Sequence, residues 1–231
     1  MRIGKLLSNA GICSRRDANR LIDEGRVYVN GERCIPGKWV EWTDEILLDG
    51  EPVKMLERIY ILLNKPKGIL CSSNRSLENN IIDYLNYDAF VFPVGRLDKE
   101  SDGLILMTND GELANSVLRD EYEHEKEYLV SVDKEFDDDF LTILSGGVEI
   151  FGTMTRPCTV IRVSHDTFRI ILSQGINRQI RKMCKKFGYE VTRLKRIRIV
   201  NMKLGDLPTG EWRFVTAEEL EKLKTIIGIQ S

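Results

Sequence analysis

The first part of the chain shows apolar residues at helical spacing, followed by short strand patterns. One helical stripe ends at Gly11, and a second helix begins after Ser14, a good N-cap residue with Asp17 three positions on. Strand segments at 26–29 and 46–48 are each followed by an Asn-Gly or Asp-Gly turn signal. The apolar positions of the two helices are Ile3, Leu6, Leu7, Ala10, Ala18, Leu21 and Ile22. The pattern predicts a small domain over residues 1–54, with two short helices followed by strands.

A short polar linker at 55–58 precedes a longer region in which strand and helix signals are mixed. Apolar segments predict strands at 59–63, 104–107, 127–132, 159–163, 167–172 and 191–200. Spacing and caps predict helices at 112–118, 137–144 and 177–187, and a last helix capped by Thr216. Strict βαβ alternation is missing. We therefore expect residues 59–231 to form one α+β domain with a mostly antiparallel mixed sheet and helices on its faces.

Composition narrows the class of protein. The 231 residues are 42% hydrophobic, which is ordinary for a globular protein, and no stretch approaches the roughly 20 apolar residues that span a membrane. The N-terminus lacks the apolar core of a secretory signal, so we expect a cytoplasmic protein. The five cysteines are widely spaced without a CxxC pair, and neither His124 nor His165 lies near another soft ligand. We expect neither a disulfide framework nor a metal site.

Charge is unevenly distributed although the net charge is only −2. Between 178 and 203 ten cations face a single acid, Glu190, whereas acids dominate residues 120–139. The cations are Arg178, Arg181, Lys182, Lys185, Lys186, Arg193, Lys195, Arg196, Arg198 and Lys203. Such a protein can bind a polyanion on one side and repel it on the other. The alternative for each run is a solvated surface without a ligand.

The helix predicted at 177–187 has two distinct faces. Ile180, Met183, Cys184 and Phe187 follow the i, i+3, i+4, i+7 spacing of a buried stripe. Arg178, Arg181, Lys182 and Lys185 repeat that spacing on another face. Like charges crowded on one helix face cost stability unless an anion compensates them, which favours RNA contact over a merely solubilising surface.

The segment 94–111 holds the candidate catalytic residue. Asp98 follows an apolar run, stands two residues after Arg96, and precedes a glycine-marked loop and a buried strand. A carboxylate at a cleft can act as a base, a nucleophile or a metal ligand, and an ionised one needs a nearby cation or hydrogen-bond donors. Taken alone, the pattern fits a turn-capping aspartate, or one paired with Arg96, better than a catalytic group.

Four motifs in order change that interpretation, because together they resemble the RNA pseudouridine synthases. They are NKPKG at 64–68, GRLD at 95–98, KEYLV at 126–130 and GINRQIRKM at 175–183. The resemblance implies that Asp98 is the essential aspartate, that Tyr128 lies against the target base, and that Arg181 pairs with Asp98. It further implies that Arg96 fills the space left by a flipped base. Lys65 and Arg178 are candidate substrate contacts, with Lys65 contacting either a phosphate or a loop, and Lys182 and Lys185 are candidate RNA contacts.

The N-terminal unit resembles the S4 RNA-binding domain in its two short helices, its RVYVNGE segment and its Asp-Gly hairpin. The resemblance implies phosphate contacts by the basic residues of this unit, which are Arg2, Lys5, Arg15, Arg16, Arg20 and Arg26. A generic helix–hairpin module for protein interaction is the alternative.

An S4 domain joined to this catalytic domain resembles the RsuA family of pseudouridine synthases. The segments at 175–181, 187–191, 194–196 and 207–213 look most like the RluF-type enzymes of the large ribosomal subunit. The resemblance implies that a monomer isomerises uridine in ribosomal RNA, most simply 23S rRNA, without a cofactor. Asp98 would either attack C1′ of the ribose or remove the 2′ proton.

Three other functions stay open from the sequence. The chain could be a noncatalytic RNA-binding or ribosome-assembly factor, or a synthase that acts on 16S rRNA or tRNA. An RNA glycosidase is a further alternative, although that chemistry usually needs two carboxylates that flank the bond.

Overall fold

A computed structural model of the chain describes residues 1–74, 76–119 and 123–229. Asp120 and Glu121, which belong to the predicted acidic run, lie outside the described residues, as do the last two residues of the predicted second domain. The elements fall into an N-terminal group and a larger C-terminal group, and each group has its own sheet.

The N-terminal group contains the two helices and the strands that the sequence predicts. Its elements are α1 (Ile3–Asn9), α2 (Arg15–Asp23), β1 (Val27–Val29), β2 (Glu32–Arg33), β3 (Ile46–Leu48) and β4 (Glu51–Pro52). The sheet order is β2-β1-β3-β4, with antiparallel pairs throughout. The Ser14 hydroxyl caps α2 by accepting a 3.1 Å hydrogen bond from the Asp17 amide. One apolar cluster, which includes Ile3, Leu7 and Val27, joins the helices to the sheet.

The C-terminal group is built on one long sheet with helices on its faces. Its strands are β5 (Tyr60–Lys65), β6 (Phe92–Pro93), β7 (Asp102–Thr108), β8 (Lys126–Val132), β11 (Thr159–Arg162), β12 (Thr167–Leu172), β13 (Val191–Ile199), β14 (Met202–Lys203) and β15 (Trp212–Phe214), beside a separate hairpin of β9 (Glu149–Ile150) and β10 (Thr153–Met154). Its helices are α3 (Ile81–Leu85), α4 (Gly111–Leu118), α5 (Asp138–Gly146), α6 (Gln179–Lys186) and α7 (Ala217–Ile227).

The main path of this sheet runs β11-β12-β8-β13-β7-β5-β15. Among the described strand pairs, β13 with β7 is parallel and the others are antiparallel. The predicted α+β class with a mostly antiparallel mixed sheet is therefore confirmed. The capping box predicted at Thr216 and Glu219 is also present.

Some elements differ from the prediction. The sequence pattern missed α3, the β9–β10 hairpin and β15, which are short and gain their stability from tertiary contacts. The helix predicted from Asn177 begins at Gln179, because Arg178 adopts a left-handed conformation with φ of 52°. That backbone turn moves the Arg178 side chain off the helix face on which the sequence placed it.

The centre of the sheet is buried on both faces. Leu62, Leu104 and Leu106 pack towards α4 and α7, while their neighbours along the strands, such as Ile61 and Ile105, pack towards α3. A third cluster, which includes Phe168 and Met183, joins β8 and β12 to α5 and α6. Because β5 and β7 are covered on both sides, their sequences read as continuous apolar runs.

Gly103 allows β7 and β13 to approach closely. It lies opposite Arg196 with φ of 110°, and a Cβ atom there would come within 2.3 Å of the Arg196 carbonyl oxygen. A side chain at this position would meet both backbone strain and a backbone clash.

We expect Gly103→Ala to lower the free energy of unfolding by about 3 kcal/mol, measured by urea denaturation. The control is Gly205→Ala, since Gly205 also has a positive φ, of 55°, but has open space around its Cβ position. Strain alone should cost the control about 1 kcal/mol. Equal losses in the two variants would contradict the clash.

The segment 55–58, which the sequence predicts as a polar linker, is hydrogen-bonded on both sides. The Leu56 amide donates to the Ala10 carbonyl, and an Arg58 guanidinium nitrogen donates to the Asn9 carbonyl at 2.7 Å. The fully buried Asn109 side chain donates to the Glu57 carbonyl at 2.8 Å and accepts from the Ile59 amide at 2.9 Å. Asn109 therefore fastens the segment to the main sheet.

Asn109→Ala should loosen this segment, since two partly buried hydrogen bonds to its backbone are lost, at a cost of about 0.5–1.5 kcal/mol each. Limited trypsin digestion, which cleaves after lysine and arginine, should cut faster after Arg58 than in the parent protein. Asn115→Ala, an exposed change on α4, is the control. If both variants are cut after Arg58 at the parent rate, Asn109 does not hold the segment.

Candidate active site

A cavity of about 720 Å³ opens between the loop before β7, strand β8 and the loop before α6. Its volume suits a nucleotide-sized group. Four of the residues singled out from the sequence line it, namely Arg96, Asp98, Tyr128 and Arg178. The structure thus brings together side chains that lie more than 80 positions apart in the chain.

The backbone around Asp98 is held on both sides. The Ser101 amide donates to the Asp98 carbonyl at 3.0 Å, and the Gly68 amide donates to the Lys99 carbonyl at 2.8 Å. The amide of the buried Leu97 donates to the Cys71 sulfur at 3.3 Å. The Asp98 side chain itself remains 29% exposed, so a tethered loop presents an accessible carboxylate to the cavity.

Arg178 supplies the cation that faces Asp98. Its Nη1 lies 3.5 Å from Asp98 Oδ2 and 3.2 Å from Glu100 Oε2. The pKa of the Glu100 carboxyl lies below its usual value, because it accepts a hydrogen bond from its own backbone amide and another from Arg178. The left-handed turn at Arg178 directs this guanidinium towards the loop.

The prediction that Arg181 pairs with Asp98 does not match this geometry. Arg181 Nη1 donates to the Val191 carbonyl at 2.9 Å, and Nη2 donates to the Ser101 hydroxyl at 3.4 Å. In the described part of the chain, Arg178 is the cation within 4 Å of the Asp98 carboxylate. The reason is the backbone turn at Arg178, which sequence periodicity does not show. Arg181 instead supports the loop through Ser101.

Lys65 does not lie where a phosphate could reach it. Its side chain is fully buried, and Nζ donates to the carbonyls of Pro66 at 2.8 Å and Ile69 at 2.9 Å. Burial lowers the pKa of this amine. The prediction of a phosphate contact is therefore replaced by the loop contact that the sequence also allowed, in which Lys65 shapes the turn after β5.

Arg196 is a site residue that the sequence did not single out. It is 3% exposed, lines the cavity, and donates from Nε to the Leu104 carbonyl at 2.7 Å and from Nη1 to the Arg96 carbonyl at 3.5 Å. It thereby ties the loop that carries Asp98 to the crossing of β7 and β13. The sequence does contain a signal for this burial. Residues two apart in a strand lie on the same face, so Arg196 shares the face of the buried Leu194.

Tyr128 reaches the cavity from the central strand β8. It lies opposite Ile170 on one side and Arg196 on the other. The side chain is half-buried and packs against the cluster that contains Val130 and Phe168. A ring held in this way can contact a planar group that enters the cavity.

The cations predicted to contact RNA in the N-terminal unit are all exposed. Arg20 pairs with Asp17 and Glu24, and Arg26 makes a bidentate pair with Asp49. Within the described residues the others have no acidic partner: Arg2, Lys5, Arg15 and Arg16. Arg15 and Arg16 occupy the first turn of α2, where the helix field disfavours a cation unless an anion is close.

The described residues hold no group of three or more His, Cys, Asp or Glu side chains arranged to bind a metal ion. All five cysteines are free. No helix in the described ranges is both long and apolar enough to cross a bilayer.

Two protein families match the chain. The RNA pseudouridylate synthase family matches residues 59–186, which include the whole Asp98 loop and helix α6. The S4 domain family matches residues 1–46, which include α1, α2, β1 and β2 and reach the first residue of β3.

Relatives and solved structures agree with these matches. The chain is 47% identical over 229 residues to the dual-specificity RNA pseudouridine synthase RluF of Salmonella typhi, covering 98% of this chain and 79% of that protein. It is 33% identical to the ribosomal large subunit pseudouridine synthase B of Bacillus subtilis, covering 97% and 96%. A crystal structure of a pseudouridylate synthase matches with a TM-score of 0.72 and 28% identity, covering 96% of this chain and 99% of that one. The chain therefore belongs to the RNA pseudouridylate synthase family, as an enzyme of the RsuA group with an N-terminal S4 domain.

Proposed function

We propose that this protein converts a specific uridine of 23S ribosomal RNA to pseudouridine, with Asp98 as the catalytic group. The observation that carries the proposal is the meeting of Asp98, Arg178, Tyr128 and Arg96 in one cavity. The reaction detaches uracil from C1′ of its ribose, turns it and rejoins it through C5. The Asp98 carboxylate starts this sequence by attack on C1′ or by removal of the 2′ proton.

Arg178 is proposed as the counter-ion of Asp98, in place of Arg181. The 3.5 Å separation lets the guanidinium orient the carboxylate while the accessible part of Asp98 stays open to the ribose. Arg181 is proposed as a positioning residue that acts through Ser101 and Val191. Both residues belong to the motif GINRQIR. Arg178 points into the cavity, and Arg181 holds the backbone and the Ser101 side chain beside it.

The target base must leave its stack before Asp98 can reach the ribose, which costs a few kcal/mol. Tyr128 is proposed to hold the flipped ring, since its side chain is fixed by the core cluster and borders the cavity. Arg96, which is exposed at the rim, is proposed to fill the vacated space in the RNA. A long cationic side chain suits this place because phosphates surround it.

RNA outside the cavity is proposed to contact Lys182 and Lys185 on α6 and the cations of the S4 domain. Arg15 and Arg16 are the strongest candidates there, because a phosphate would offset their unfavourable position at the start of α2. Arg20 and Arg26 are weaker candidates, since acids already neutralise them.

The choice of 23S rRNA rests on relatives, one of which is named for the large ribosomal subunit. Because other relatives are named dual-specificity enzymes, a second RNA substrate, such as a tRNA, is the second candidate. We propose that the protein acts as a monomer, since one chain supplies every residue named in the cavity. The five free cysteines agree with a reducing compartment such as the cytoplasm.

Asp98→Asn should abolish pseudouridine formation, with a fall in rate of about a thousandfold or more, because the amide can neither attack C1′ nor take a proton. The measurement maps pseudouridine in 23S rRNA, 16S rRNA and tRNA from cells that lack the protein and are complemented with either form. The matched control is Glu100→Gln, which also removes a carboxylate next to Arg178. If Asp98→Asn restores every modification, Asp98 is not the catalytic group.

Arg15→Glu combined with Arg16→Glu should weaken RNA binding about tenfold or more at low salt and reduce the salt slope of log K by about 1.5, because two phosphate contacts are lost. The helix should not be destabilised, since acids are favoured in its first turn. Filter binding to a 23S rRNA transcript over a salt series measures both quantities.

Lys134→Glu combined with Lys222→Glu is the control for this pair. Both lysines are exposed, and neither forms an ion pair with the described residues. The control makes the same change in net charge. Equal losses of RNA affinity in the two double variants would therefore show a general charge effect, and not phosphate binding by α2.

A further inference from the structure

The hairpin of β9 and β10 packs beside helix α6 and carries two exposed apolar side chains. Phe151 at its tip is 87% exposed, and Met154 is 64% exposed. The strands pair Thr153 with Ile150 and Met154 with Glu149, which leaves Phe151 and Gly152 as a two-residue turn. An aromatic ring this exposed on a protein surface marks a contact site when charges around it favour one kind of partner.

The turn is not built for stability. Phe151 has φ of 52° and Gly152 has φ of 75°, a geometry that favours Asn-Gly or Gly-Gly over a bulky first residue. The hairpin nevertheless has a firm base, because Ile150 is buried in the same cluster as Met183 of α6. Lys186 Nζ also donates to the Glu149 carbonyl at 2.7 Å. A rigid hairpin therefore holds the phenyl ring out into solvent.

The surroundings of the ring are cationic. Lys182 Nζ lies 4.7 Å from the centroid of the Phe151 ring, and Lys185 and Lys186 are exposed on the same helix. Glu149 is the acid within the hairpin, and its carboxylate lies 3.9 Å from Lys186 Nζ. An aromatic ring with one lysine at its face and two more lysines on the adjoining helix is complementary to a nucleotide, whose base stacks while its phosphate meets the cations.

The ring is also connected to the active site. Lys182 Nζ donates to Asn177 Oδ1 at 3.3 Å, and Asn177 lines the cavity beside Arg178. Lys182 stands about one helical turn, roughly 6 Å along the axis, from Arg178. A strand of RNA whose uridine enters the cavity therefore passes close to the hairpin.

We propose that Phe151 is a stacking platform for an unpaired RNA base that flanks the target uridine, with Lys182 and Lys185 on the adjoining phosphates. The proposal rests on the proposed function, since it takes RNA as the ligand. It adds a contact with single-stranded RNA that lies outside the cavity and outside the S4 domain. Stacking is tolerant of base identity, so the platform contributes affinity and positioning of the strand.

The first test measures binding of labelled oligouridylate and of an RNA duplex of equal length by fluorescence anisotropy. Phe151→Ala should weaken oligouridylate binding about tenfold and leave duplex binding unchanged, because only an unpaired base can stack. Phe151→Trp should keep the affinity, and its indole fluorescence should be quenched by the RNA. Phe151→Asn should bind as weakly as the alanine variant although asparagine suits the turn better, which separates stacking from folding.

The second test measures pseudouridine formation on a 23S rRNA transcript. Phe151→Ala should raise KM about tenfold and leave kcat nearly unchanged, since the ring does not touch the reacting atoms. Asp98→Asn should lose pseudouridine formation, while adding Phe151→Ala to it should still weaken oligouridylate binding about tenfold, so loss of activity and loss of stacking are separable.

The two proposals fail in different ways. If Phe151→Ala equals the parent protein in oligouridylate affinity and in KM, the platform is excluded, and Phe151 and Met154 are left to a protein contact. If the parent protein modifies no RNA but its oligouridylate binding still depends on Phe151, the proposed function is wrong and the stacking platform is supported.

Discussion

The active site depends on the parallel contact between β7 and β13. The Asp98 loop leads directly into β7, and α6 leads into β13. Because parallel strands begin at the same edge of a sheet, the register of Lys195 with Asp102 places the loop next to the helix. Asp98 and Arg178 meet for this reason, although 80 residues separate them. Gly103 makes the crossing close enough, since no side chain fits against the Arg196 backbone.

Buried cations hold the backbone around Asp98 through hydrogen bonds. Lys65 and Arg196 are almost inaccessible to solvent, and each directs its charge at backbone carbonyls of the loops around Asp98. A buried charge is tolerated only when hydrogen bonds replace its hydration, so these contacts specify one loop conformation. Arg181 adds a third cation through Ser101. The loop is therefore rigid in its backbone, while the Asp98 carboxylate at its end stays accessible.

The proposed RNA contacts are distributed over surfaces outside this rigid centre. The S4 domain offers Arg15 and Arg16, and the segment 55–58 is anchored to both domains by backbone hydrogen bonds. In the C-terminal domain, the β9–β10 hairpin presents Phe151 beside Lys182. The protein carries a net charge of −2, so local clusters of cations, and not the overall charge, are the proposed source of attraction for RNA.

The sequence by itself determined the class of fold, the two families and the candidate aspartate, because periodicity, caps and ordered motifs are local signals. Helices α2, α4 and α7 and most strands of the main sheet follow from such signals. The tertiary structure decided which arginine faces Asp98. Because the backbone of Arg178 is left-handed, Arg178 contacts Asp98 where the sequence predicted Arg181. The burial of Lys65 and Arg196 and the exposure of Phe151 likewise depend on which strands and helices become neighbours. Contacts between distant segments decide these placements, and no local pattern in the chain encodes them.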